Sequence, residues 1–425
     1  MGKNIKKSSG NRIVIIGGGF GGLELARRLR KTPYQVVIID RHNYHQFQPL
    51  FYQVATAGLE PSSIIFPFRK NFQRIKNFHF RLAEVDSVNT EEKQVNTSIG
   101  PIDYDYLIIA TGAGNNFFGN KEIEKHALPM KSIVESINLR NTILERFEQA
   151  LEVDEDKREE YLSVTIAGAG PTGVELAGTL VEMRSNILPV DYPELDFKKM
   201  KIYLVEGSPR VLNAMSEASS LKAHGYLEKM GVEIKTDTRV DAYDGETISL
   251  SDGNNIRCRT LIWAAGVKGN FLDGLPEGTM GRGNRIHVNA YNQVKGLEDV
   301  YALGDVALMT GDDAYPDGHP QMAQPAIQQG KLLANNLKAK LKGRSMTPFK
   351  YKNLGSMATV GKNKAVVELP KYKFSGFFAW LVWMLVHLRS ILGIKNKFIV
   401  FLNWVWNYFT YNLSLRLIIK RDLDK

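Results

Sequence analysis

Cysteine is nearly absent: Cys258 is the only one in 425 residues. An internal disulfide is therefore excluded, and so is a redox centre built on a pair of thiols. Cys258 precedes the apolar run Thr260-Leu261-Ile262-Trp263 and reads as a packed structural thiol. Acidic residues are in deficit, with 45 Asp and Glu against 55 Lys and Arg, a formal net charge of +10. A surplus of that size favours an anionic partner or surface. Zinc-finger and RNA-binding signatures are lacking, and the positive charge is thinly spread until the C-terminal region. The anionic face of a membrane is thus a better partner than nucleic acid. The N-terminus, Met1-Gly2-Lys3-Asn4-Ile5-Lys6-Lys7-Ser8-Ser9-Gly10, has no apolar centre. It is not a secretory signal, which points to the cytoplasm.

What the chain does hold is a repeated pattern. Arg12-Ile13-Val14-Ile15-Ile16 leads into Gly17-x-Gly19-x-x-Gly22, and then into the helical run Leu23 to Leu29. Ser163-Val164-Thr165-Ile166-Ala167 leads likewise into Gly168-x-Gly170-x-x-Gly173 and a helical run from Val174 to Leu180. In such a strand–turn–helix fingerprint the first glycine makes the turn, the second lets a pyrophosphate approach, and the third lets the helix pack on the sheet. The helix N-terminus supplies N–H groups to the phosphates. Two fingerprints imply two dinucleotides, as in a flavoprotein reductase that keeps a flavin in one site and admits a nicotinamide to the other.

Each half should also place an acid at the end of its second strand, against the adenosine ribose. Asp40 ends Tyr34 to Ile39 and lies 18 positions after Gly22. Glu206 ends Lys201 to Val205; its interval is longer because 186–199 is inserted. An acid here repels a 2′-phosphate and favours NADH over NADPH, although Arg210 lies nearby. Phe20 within the first fingerprint, Arg41 after its acid, and Pro171 and Thr172 within the second fingerprint are expected cofactor contacts. Two small-residue turns, Thr111-Gly112 and the one at Gly266, follow strands about 90 residues beyond each fingerprint. This repeats the whole mononucleotide unit. The expected fold is α/β, with two Rossmann-like domains, the second inserted in the first. The expected boundaries are 1–135 with 280–345, then 155–275, then a C-terminal region 346–425.

The aromatic, glutamine-rich segment Asn43 to Thr56 either covers the flavin ring or merely packs, and His45 reads as a structural hydrogen bonder. Asp305, after the strand Val300 to Leu303, either accepts from the flavin's ribityl hydroxyls or caps a helix. Gln324 and Gln328 are spaced i, i+4 and share a helix face, with Gln329 directed away. Two amides beside a flavin could bind a carbonyl-bearing acceptor such as a quinone.

At this point the chain resembles the type II NADH dehydrogenases, the single-subunit NADH:quinone oxidoreductases. The resemblance rests on both glycine fingerprints, His45 to Ala55, Ala110-Thr111-Gly112, Trp263 to Val267, Gly304 to Ala307, Ala323 to Gly330 and Met357 to Ala365. Ala323 to Gly330 is the most specific. It implies non-covalent FAD in the first site, NADH in the second, and a quinone as acceptor. By resemblance Glu175 belongs to the nicotinamide side or a proton path, and Lys364 to the flavin and quinone region. The implied activity moves a hydride from NADH to FAD and two electrons to quinone, without proton pumping. A soluble reductase of a small electron-carrier protein and a membrane-tethered redox sensor are the rival readings.

The C-terminal composition suits a membrane. Four of the five tryptophans lie between Trp380 and Trp406, flanked by Lys371, Lys373, Arg389, Lys395, Lys397, Arg416, Lys420 and Arg421. The run Phe374 to Leu388 is short of the ~20 residues that span a bilayer. The second, Phe398 to Phe409, is interrupted by Asn403 and Asn407, with Asn412 beyond it. Two interfacial amphipathic helices holding the protein to the cytoplasmic side as a peripheral protein are expected; a spanning hairpin and a homodimer surface are the alternatives.

Overall fold

The computed structural model describes residues 5–410 and 415–419. The first four residues, Asn412, Lys420 and Arg421 lie outside them. The elements that place the site are β1 (Arg12–Ile16), α1 (Phe20–Leu29), β2 (Gln35–Asp40), α2 (Phe51–Ala55), β3 (Phe78–Leu82) and β4 (Tyr106–Ile109). Then come β5 (Leu128–Pro129), α3 (Ile133–Glu152), β6 (Val164–Ala167), α4 (Pro171–Asn186), β7 (Ile202–Val205), β8 (Glu233–Lys235) and β9 (Leu261–Trp263). The chain closes with β10 (Val300–Ala302), α5 (Ala323–Lys340), β11 (Ser356–Gly361), β12 (Lys364–Glu368), β13 (Lys373–Ser375), α6 (Phe377–Ser390) and α7 (Ile394–Thr410).

Two compact units result, one of 1–45, 66–114 and 267–353, the other of 46–65, 115–266 and 354–425. In the first, the parallel sheet runs β10-β4-β1-β2-β3. Its β-branched strands are buried on both faces, as parallel strands covered by helices must be. Val14, Val37, Ile39, Leu107 and Ile109 form its core, with Val300 and Ala302 from the returning strand. In the second, the parallel sheet runs β5-β9-β6-β7-β8. The fingerprint strand is central in each sheet, with the acid-bearing strand on one side and the small-turn strand on the other. That is the repeat the sequence suggested.

Two boundaries differ from expectation. Segment 46–65, which follows the first acid, belongs with the second unit. There Gln46 Oε1 accepts the N–H of Ile133 at 2.8 Å, and α2 packs along α3. The C-terminal region is no separate body either. The hairpin β11–β12 packs on α4, and β12 carries α6, so this hairpin and helix belong with the second unit.

Glycines set both helix packings. In the first unit α1 crosses α5 with Gly330 against the Gly21 carbonyl; a Cβ on Gly330 would lie 2.5 Å from that oxygen. In the second unit a Cβ on Gly178 of α4 would lie 2.1 Å from the Val360 carbonyl of β11. Gly178→Ala is therefore expected to destabilise the second unit by ~1–3 kcal/mol, as overpacking does. Calorimetry should show a transition lowered by several degrees, and an unchanged transition would refute the contact.

Candidate active site

Each glycine of the first cradle has a separate task. Gly17 has φ +99°, which L side chains rarely adopt, and a Cβ there would strike the Ala110 carbonyl at 2.3 Å. Gly22 packs so tightly that its Cβ would meet the Gly17 carbonyl at 2.1 Å. Gly19 faces open space, with nothing within 4 Å of its Cβ position. The second cradle repeats this: Gly168 has φ +100°, Gly173 packs on the Gly168 carbonyl, and Gly170 faces open space. Gly19 and Gly170 are also the N-caps of α1 and α4. A glycine has no side chain to cap the first helical N–H groups, which suits them to a pyrophosphate. The residues therefore fit two dinucleotides.

The acids complete the match. Asp40 accepts the Gly18 N–H at 2.7 Å and the His42 N–H at 2.8 Å. Glu206 accepts the Ala169 N–H at 2.6 Å and the Ser208 N–H at 2.8 Å. Both bind the residue after the first glycine and the residue two positions after themselves. Burial pushes the Asp40 carboxyl up, while its two backbone N–H bonds oppose the shift. The insertion that lengthens the second interval folds as the far end of α4 and two short turns, Leu188–Asp191 and Phe197–Lys199, and leaves the acid in place.

Around the first cradle, His45 is buried and its Nδ1 donates to the Gly18 carbonyl at 3.0 Å. Burial lowers its pKa to about 4, so it is a neutral structural donor. Phe20 packs edge-on to His45 at 5.2 Å, and Arg41 is exposed. Thr111 and Gly112 are held by Asn270, whose amide N–H donates to the Thr111 carbonyl at 2.9 Å and whose backbone N–H donates to Gly112 at 3.0 Å. Gly112 has φ +69° and open space at its Cβ position. Asp305 lies within a short 3-10 turn, Gly304–Val306, not at the start of a helix. Gln329, directed away from Gln324 and Gln328 as expected, accepts the Gly304 N–H at 2.7 Å and locks that turn. Neither Asn270 nor the task of Gln329 carries a signal in the sequence.

In the second unit Pro171 and Thr172 are exposed at the start of α4, and the Gly266 carbonyl accepts the Asn116 N–H at 3.1 Å. One turn along α4, Glu175 is buried. Its carboxyl accepts the Trp383 indole N–H at 3.2 Å and the Thr359 N–H at 3.5 Å. Burial outweighs both bonds and raises its pKa to about 8. His387 stacks on Trp383 at 4.1 Å and is itself held neutral by burial, near 4. Thr359 and Trp383 also line a cavity of about 130 Å³ with Tyr52, Trp404, Lys362 and Tyr408. Lys364 opens β12; its charge, with that of Lys362, opposes the upward push of burial on Glu182. Cys258 is fully buried in the core of this unit, with Sγ donating to the Ser163 carbonyl at 3.1 Å.

A family model described as pyridine nucleotide-disulphide oxidoreductase matches residues 11–330, and one described as the NDH2 C-terminal domain matches 353–411. Type II NADH:quinone oxidoreductase Ndh of Mycobacterium tuberculosis is 36% identical over 410 residues, which cover 93% of this chain and 87% of that protein. The chain belongs to the type II NADH:quinone oxidoreductases. The type II NADH:quinone oxidoreductase of Staphylococcus aureus (strain bovine RF122 / ET3-1) is 28% identical over 404 residues, 90% of this chain and 96% of that one. NDH2 of Plasmodium falciparum, solved in complex with NADH, shares the fold with a TM-score of 0.87 at 22% identity, covering 96% of this chain and all of that one. The family resemblance read from the motifs is thus established. In this type II oxidoreductase a disulfide has no part, because its one cysteine is packed in a core.

Glu175 gives the site a pH signature. A carboxyl whose pKa is raised in the fold stabilises the protein below its ordinary value of 4.5 and loses that contribution as pH climbs through about 8. Glu175→Gln cannot ionise. The variant should therefore gain stability relative to the parent between pH 5 and pH 8.5, by several degrees in Tm. A constant difference across that range would show that the carboxyl is not buried in its neutral form.

Proposed function

We propose that this protein oxidises NADH and reduces a membrane quinone through a bound flavin, NADH + H⁺ + Q → NAD⁺ + QH₂, without moving protons across a membrane. The observation that carries the reading is the pair of like-built cradles, since passing a hydride between two dinucleotides needs both. FAD, held at Gly17, Gly19, Gly22 and Asp40, supplies the chemistry of accepting a hydride and releasing its electrons to the acceptor. The protein's own work is placement. Gly168, Gly170, Gly173 and Glu206 hold NADH, and the Glu206 carboxylate disfavours the 2′-phosphate of NADPH. Gln324 offers its amide to the quinone carbonyl. Glu175, neutral at pH 7, holds a proton beside Trp383 and Thr359, two walls of the aromatic cavity.

The C-terminal helices support the lipid-side arrangement. α6 and α7 have 14 and 17 residues, and no helix among the described residues is long and apolar enough to cross a membrane. α7 is turned inside out. Asn396 donates to the Ile65 carbonyl at 2.9 Å, Trp404 to Gln53 at 2.8 Å and Asn407 to the Gly58 carbonyl at 3.2 Å. Ile394, Phe398, Phe401, Leu402, Val405, Trp406 and Phe409 are exposed, and at 100° per residue they fall within an arc of ~140°. We read this stripe, with Phe378 and Leu385 of α6, as the face laid on a lipid surface on the cytoplasmic side.

Two measurements test the reading. Stopped-flow absorbance should show Gln324→Leu slowing oxidation of the NADH-reduced protein by a short-chain quinone tenfold or more, with reduction by NADH nearly unchanged. Equal loss in both half-reactions would sink the acceptor assignment. Fast reduction with no quinone turnover in the parent would favour a carrier-protein reductase, and slow reduction a sensor. Replacing Phe398 and Phe409 together by Ser should cut partition onto anionic phosphatidylglycerol vesicles at least tenfold; undiminished binding would place the lipid contact elsewhere.

A further inference from the structure

The glutamine pair of α5 does not behave as a pair. Gln328 uses both ends of its amide on one residue: Nε2 donates to the Lys352 carbonyl at 2.8 Å, and Oε1 accepts the Lys352 N–H at 3.1 Å. Together these bonds copy the pairing of a β-bridge and pin the segment after Phe349 against the helix.

The residue before Lys352 is held still more firmly. Tyr351 is buried, and its backbone N–H bonds the Asp312 carboxylate. Its ring packs against Tyr315 at 5.2 Å and His319 at 5.6 Å. His319 in turn bonds Asp312 at 3.0 Å and meets Phe349 edge-on at 5.2 Å. At the end of this assembly the Tyr351 hydroxyl stands 3.4 Å from Gln324 Oε1. That is long for such a bond.

A glutamine amide turned by 180° exchanges donor for acceptor. Set against a quinone carbonyl, the wrong orientation puts oxygen against oxygen. We propose that Tyr351 is a positioning residue for quinone binding: its hydroxyl donates to Gln324 Oε1 and so turns the NH₂ end of that amide toward the acceptor carbonyl, while Gln328 is the clasp that holds Tyr351 rather than a second quinone contact. The proposal rests on the reading of Gln324 as the acceptor contact. It explains why a helix face with two glutamines is followed, some twenty residues on, by a segment whose Phe349 and Tyr351 pack against His319 and Tyr315.

The test is equilibrium binding of a short-chain ubiquinone to the oxidised, FAD-loaded full chain without NADH, followed by calorimetry. Tyr351→Phe keeps the ring and should raise Kd about threefold to tenfold, the worth of one hydrogen bond. Gln324→Leu should raise it at least as much, and the double variant no further than Gln324→Leu alone, because the hydroxyl then has nothing to orient. Gln328→Leu should raise Kd like Tyr351→Phe and speed hydrogen exchange of the Lys352 amide at least tenfold. Additive single effects, or an unchanged Kd in Tyr351→Phe beside a raised one in Gln324→Leu, would overturn the positioning role alone. An unchanged Kd in Gln324→Leu would overturn the acceptor reading and the proposal with it.

Discussion

The fold hangs on one interaction made twice: a carboxylate at the end of a parallel strand accepts the first N–H after a glycine turn on the neighbouring strand. Asp40 does this for Gly18, and Glu206 for Ala169. The bond ties the turn to the sheet, so the direction in which the following helix leaves is fixed by the strand beside it. A charge-assisted bond of this type is worth more than a neutral one, and each acid makes a second with the chain just beyond itself. The acid is therefore part of the cradle's frame before any ribose reaches it. Replacing either acid removes the bond that shapes its own phosphate turn.

The frame extends outward through glycines. Gly22 and Gly173 bring each helix onto its own turn. In the first unit Gly21 of α1 and Gly330 of α5 bring the glutamine helix onto the fingerprint helix, and Gln329 of α5 returns to hold the Gly304 turn. The Gln324 amide and the first phosphate cradle thus stand on one tightly packed pair of helices. In the second unit Gly178 performs the same service between α4 and the hairpin β11–β12. That places the Thr359 N–H against Glu175, on the same helix.

Most of the cradle geometry was legible because glycine, β-branched runs and a terminal acid each have a physical reason to stand where they do. Both cradles and both acids follow from that logic, and the shared helix face of Gln324 and Gln328 follows from helical periodicity. Contacts between residues far apart in sequence were not legible. Nothing in the pattern ties Trp383 to Glu175, Asn270 to Thr111, or Tyr351 to Gln324, since each pairing is created only by the fold. From the sequence, Asn403 and Asn407 read only as interruptions of the apolar run in the last helix, and Asn396 as part of the polar step before it. Asn396 and Asn407 instead face the protein and bond backbone carbonyls. A helical run carries no mark of which face turns inward, and here the polar side does.

That inversion limits what α7 can do. Its hydrogen-bonding edge is consumed in holding the helix to the body, so the apolar stripe is the one face left to meet anything else. A lipid leaflet and a second copy of the chain would both seek that stripe, and it cannot satisfy both at once. Self-association through this stripe and the proposed attachment to a bilayer would therefore compete. Lipid would then dissolve any assembly formed through α7 rather than decorate it.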